Sequence, residues 1–199
     1  MRYIYIIFAC CMFGFMSCNN TNTTTGNSNS DSTKTKPIVN AQPAQSKLST
    51  AGTQMLMGVI NQYYTVKNAL VATKASGTDS AAMQLAIMTD SLQGFLNKDA
   101  ATPTTLKPYL DTIINQSKAI STIQDETCEK QRIAFSTLSS AMYGLLKNVA
   151  LKNTVIYQEH CPMAMEEKGA YWLSDDSDIK NPYFGKKMIE CGEVTDVIK

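Results

Sequence analysis

The last 45 residues of this chain gather sulfur. His160-Cys161-Pro162-Met163-Ala164-Met165 comes first, and Met188-Ile189-Glu190-Cys191-Gly192 follows. Thiolates and thioethers are soft donors, and a set of them prefers copper(I) to the harder ions that carboxylates hold. Pro162 fixes its own φ and pushes Cys161 out of the helical region. Cys161, Met163 and Met165 are therefore expected on an extended segment, where alternate side chains point the same way. Lys186 to Cys191 follows a glycine and can form a short helical turn. Met188 and Cys191, three apart, would share its face. The candidate metal ligands are Cys161, Met163, Met188 and Cys191, with His160 and Met165 ranked below them. On an extended segment His160 alternates away from Cys161. The metal implied is copper(I), with silver(I) next.

A second chemistry is open to the same pair. Cys161 and Cys191 can close a disulfide around a loop of about 30 residues, contributing on the order of 3–4 kcal/mol. Met163 and Met188 would then be gap-filling core residues. The two states can alternate, since a dithiol that holds copper when reduced can oxidise when empty. Asp175-Asp176-Ser177-Asp178 lacks the glycine and distal glutamate of a calcium loop and reads as a solvated turn.

The compartment follows from the start of the chain. Arg2 precedes an apolar run from Ile4 to Met16, too short for a spanning helix and typical of a signal peptide over residues 1–17. Phe15-Met16-Ser17-Cys18 resembles the bacterial lipobox, which implies that Cys18 is acylated and anchors the mature chain in a membrane. The polar stretch from Asn19 to about Gln45 has no large apolar residue before Ile38 and reads as a disordered tether over residues 18–45. Cys10 and Cys11 leave with the signal peptide, so Cys128, Cys161 and Cys191 remain in an oxidising compartment.

The elements that must hold the sulfur residues come before them in the chain. Leu56, Val59, Tyr63, Val66 and Leu70 are spaced three and four apart, one face of a helix. Gly77 reads as a stop and Asp79 as the cap of a second helix, with Leu85, Met88 or Thr89, Leu92, and Phe95 or Leu96 as its stripe. Thr102-Pro103 reads as a cap and first helical residue. Leu106, Leu110, Ile113, Ser117 and Ile120 make the third stripe. Asp125 reads as the cap of the fourth, which carries Phe135, Leu138, Met142, Leu145 and Val149. Cys128, seven residues before Phe135, is expected as a small core residue. The fold expected is mainly α: an antiparallel four-helix bundle within a domain of residues 46–199. Its C-terminal extension, 151–199, is irregular or short β and carries the Cys-Pro-Met and Met-x-x-Cys elements. Tyr171, Trp172, Tyr183 and Phe184 are expected to pin that extension to the helices.

Charge and composition exclude several functions. The chain has 18 basic and 17 acidic residues, and removing residues 1–17 takes away only Arg2. A neutral domain without a basic stripe is a poor nucleic-acid binder. No Ser-His-Asp set, phosphate loop or zinc-hydrolase motif is present, and one histidine leaves little general-base chemistry. A binding protein is expected rather than an enzyme. Di-metal chemistry in a helical bundle needs histidines on the helices, and His160 lies beyond them.

Cys-Pro-Met-Ala, Tyr-Trp-Leu-Ser, Asn-Pro-Tyr-Phe-Gly and Met-x-x-Cys-Gly-Glu-Val, between Tyr157 and Val194, resemble the domain of unknown function 3347 family of Bacteroidetes. So does the helical run Tyr63-Tyr64-Thr65-Val66-Lys67-Asn68-Ala69-Leu70-Val71. The resemblance extends from about Ser49 through the tail. It implies an envelope location; with the lipobox, and a tether that lacks an acidic cluster right after Cys18, the expectation is a lipid anchor in the outer membrane facing the periplasm. It also implies copper or silver handling beside a periplasmic efflux adaptor as partner. Cys161, Pro162, Met163, Met188 and Cys191 match the family's motif, whereas Cys128, His160 and Met165 do not. The rival expectation is a disulfide-stapled helical interaction module that binds a protein and no metal. Oligomeric state is left open by the sequence.

Overall fold

The computed structural model describes residues 42–99 and 102–199. The signal peptide, Cys18 and the tether as far as residue 41 lie outside the described residues. Ser49 starts helix α1, Thr50–Val71, by accepting a hydrogen bond from the Gly52 amide at 3.2 Å. All five residues of the expected stripe are buried. The helix does not run on to Gly77. Thr73 takes a left-handed conformation with φ 51°, and the amides of Lys74 and Thr73 bond the carbonyls of Ala69 and Leu70. These crossed bonds stop a helix without glycine. Helix α2, Ala75–Leu96, therefore begins before Gly77 and Asp79, and both lie inside it. Thr89 and Leu96, rather than Met88 and Phe95, complete its buried face with Leu85 and Leu92.

Pro103 precedes a 3-10 turn, Thr104–Leu106, and Pro108 is the proline in the first turn of α3, Lys107–Thr122. The third and fourth stripes are buried as expected. The N-cap position of α4, Glu129–Val149, is Cys128 and not Asp125, which lies four residues before the helix but still accepts from the Lys130 amide at 2.8 Å. Cys128 is fully buried at the helix start with φ 62°. Each long helix packs on the next, and Tyr63 of α1 stacks on Phe135 of α4 at 5.3 Å. No helix among the described residues is long and apolar enough to cross a membrane.

The β-prone stretch forms its strand slightly late. Asn153 turns at φ 58°, and β1 runs from Ile156 to Cys161. It pairs antiparallel with β2, Ala170–Ser174, and with β3, Glu193–Ile198, in the order β2-β1-β3. The domain is thus mainly helical, with five α-helices and a small antiparallel sheet at its C-terminal side among the described residues. The fifth helix, α5, is only Ala164–Glu167, and Met165 and Glu166 within it are left-handed. The chain enters the domain beside the last turn of α4: Gln45 and Lys152 exchange backbone hydrogen bonds at 2.8 and 3.1 Å.

Candidate functional site

Cys161 ends β1, opposite Ala170 of β2, and is fully buried. Cys191 lies just before β3 in a turn closed by its amide on the Met188 carbonyl. Asn181 holds that turn from the other side, donating through Nδ2 to the Cys191 carbonyl at 2.7 Å. Gly192 follows at φ 150°. A Cβ there would lie 2.8 Å from the Trp172 ring and 2.9 Å from the His160 carbonyl, so only glycine lets the turn press this close to the sheet. The result is that two sulfurs 30 residues apart in the chain meet, Sγ to Sγ, at 2.6 Å. The Cys161 thiol and partial burial push the Cys191 thiol up to about 11.

The other sulfur residues are not gathered at this point. The hairpin must reverse direction between Cys161 and Ala170, so the chain cannot stay extended past the end of the strand. Met163 turns into the helical region at φ −82° and is half exposed, and Met165 is left-handed. Met188 leaves the 3-10 turn Gly185–Lys187 at φ −147° and lines a different cleft, with Arg132 and Phe184. It does not share a helical face with Cys191. His160 alternates away from Cys161 as expected and stacks on Tyr171 at 4.3 Å. That alternation also turns Tyr171 outward, so of the four expected anchors Trp172, Tyr183 and Phe184 pack inward and Tyr171 does not. Among the described residues, no three of His, Cys, Asp and Glu gather into a metal-holding group. The Asp175–Asp178 segment is a self-capped turn, with Asp176 accepting from the Asp178 amide and pairing with Lys180.

Tyr63 of the first stripe and two charged residues outside the stripes, Arg132 and Lys67, hold the tail to the helices. Tyr63 Oη shares a hydrogen bond with Ser139 at 2.7 Å and accepts from the Leu173 amide at 3.0 Å. Arg132, 7% exposed, donates to the carbonyls of Leu70, Thr127 and Pro182 and to the Thr73 hydroxyl. Lys67, 2% exposed, donates to Ser174 Oγ at 3.1 Å. Burial pulls its ammonium below the ordinary lysine range, against the charges of Asp175 and Glu159. Glu159 of β1 is fully buried with no hydrogen-bond partner for either carboxylate oxygen, and burial raises it to about 7. The periodicity did contain a signal: Lys67 and Arg132 fall three or four residues from Tyr63, Leu70, Cys128 and Phe135, on the buried faces.

Residues 59–154 match the model of a family described as a protein of unknown function, DUF3347. The match covers the four long helices from the middle of α1 onward and stops before β1. The tail motif, on which much of the resemblance rested, lies beyond it. No curated protein and no solved structure matches the chain.

Proposed function

With residues 59–154 belonging to the DUF3347 family, we propose that this is a lipid-anchored envelope protein whose Cys161–Cys191 pair binds one soft metal ion when reduced. Copper(I) is the first choice and silver(I) the second, for buffering or for transfer to an efflux adaptor. The observation that supports it is the convergence of two thiols at one point, one of them on a turn open to solvent. Two thiolates suit copper(I) better than any hard ion. The ligand set is narrowed to Cys161 and Cys191, with Met163 the thioether closest to them in sequence. Helices α1 to α4 are read as an antiparallel four-helix bundle that acts as the rigid carrier, in keeping with their short connections and sequential packing. The protein is read as a binder and not an enzyme.

The disulfide-stapled interaction module is the second reading, and one distance favours it. Two sulfurs bound to one ion at about 2.3 Å each stand roughly 3.8–4.6 Å apart. At 2.6 Å the pair is closer than that, so a metal requires the Cys191 turn to open. A competitive titration of the reduced full-length chain with copper(I) and a chelator separates the readings. One ion per chain, lost in both Cys161→Ser and Cys191→Ser, is the result expected. Chelator-limited behaviour identical in wild type and variants would remove the metal and leave the staple.

A further inference from the structure

Away from the thiol pair, a cleft of about 700 Å3 opens between the start of α4 and the 3-10 turn that follows Phe184. That volume is in the range of small-molecule sites. Its two walls carry opposite charge. Glu126 and Glu129 stand on the helix side, and Lys186 and Lys187 stand on the tail side. All four are exposed, and no ion pair among the described residues joins one wall to the other. Between them the lining is apolar, from Tyr183, Phe184 and Met188.

Arg132 reaches the same cleft from within the fold. Its Nε and Nη2 donate three hydrogen bonds, and its Nη1 donates only to the Thr127 carbonyl. A guanidinium has five N–H groups, so one on Nη1 is uncommitted. No carboxylate comes within ion-pair distance of this buried cation among the described residues, although the charges of Glu129 and Asp125 act on it from farther off. An anionic group in the cleft would meet that donor and the two lysines together. An ammonium at the opposite wall would meet the two glutamates. The space between suits an apolar side chain.

We propose that this cleft binds a zwitterion with an apolar middle, that is, an apolar amino acid or short peptide with free amino and carboxyl ends. A dipeptide extends about 7 Å, which fits a cleft of this size. The site is held rigid on the tail side by Gly185. That residue has φ 54°, and a Cβ on it would lie 2.9 Å from the Val71 carbonyl and 3.3 Å from Arg132 Nη2.

The test is calorimetric titration of the full-length chain in detergent with the dipeptide Leu-Leu, its N-acetyl form and its C-terminal amide. Binding of one unblocked dipeptide per chain is expected, with each block weakening it tenfold or more. Glu126→Gln with Glu129→Gln should reproduce the effect of acetylation. Lys186→Gln with Lys187→Gln should reproduce that of amidation. These four side chains are exposed, so the variants test the site and not the fold. No binding of the unblocked dipeptide at millimolar concentration, or equal binding of the blocked forms, would overturn the proposal. So would dependence on one end alone.

Discussion

Glu159 holds a carboxylate so deeply buried that the Lys67 charge and the Trp172 side chain offset only part of its desolvation, and the cost of ionising it there has a sign that can be measured. Its proton is bound more tightly in the folded chain, at about 7, than at the ordinary 4.5. Its contribution to stability is therefore full below about pH 4.5 and is lost as pH rises through about 7. Urea unfolding between about pH 5 and pH 8 should show this decline. Glu159→Gln should flatten it and be the more stable protein at the alkaline end; a wild-type profile unchanged by the substitution would remove Glu159 as its source. At this scale the sequence was only partly legible. The stripes located the buried residues well, and every member of the first, third and fourth was found inside. Lys67, Arg132 and Glu159 are absent from the stripes because those count only apolar side chains, yet all three are buried. Lys67 and Arg132 are bonded mainly to hydroxyls and backbone carbonyls 50 or more residues away, which spacing alone does not display.

The elements themselves were legible where periodicity runs long and were misread where the chain turns. Gly77 and Asp79 look like a stop and a cap, yet the Leu70 and Ala69 carbonyls are already satisfied by the Thr73 and Lys74 amides before either residue is reached. A left-handed threonine leaves no mark in composition. The hairpin after Cys161 was misread for a similar reason. Proline was taken as extending the segment, whereas strand pairing from Cys161 to Ala170 forces the intervening residues to reverse. The reversal carries Met163 off the line of the strand, while Met188 is set apart by the non-helical exit of the 3-10 turn Gly185–Lys187. Contacts between elements give a direct test of how the sheet is held. Tyr63→Phe deprives the Leu173 amide and Ser139 of their buried partner. A loss of about 1–3 kcal/mol is expected in denaturant unfolding, and a loss well below that would mean water replaces the hydroxyl.

For the whole molecule, the tail is the part whose order depends most on a covalent choice. An oxidised Cys161–Cys191 pair shortens the unfolded chain's freedom by closing about 30 residues, worth on the order of 3–4 kcal/mol. Adding reductant to metal-free protein should lower the midpoint of urea unfolding, with a fall in unfolding free energy of about 3–4 kcal/mol. Cys161→Ser and Cys191→Ser should start at the reduced value and show no response. A wild type indifferent to reductant would mean that the two thiols form no disulfide.

The grip of Tyr63, Lys67 and Arg132 on the tail has a consequence for how such a domain can be inherited. The family match ends at residue 154, yet each of these three helical side chains has a partner beyond it, at Leu173, Ser174 and Pro182. A gene fusion cut at that boundary would pass on a lysine and an arginine buried for contacts that no longer exist. The unit that recombination can move intact is the helices together with their sheet.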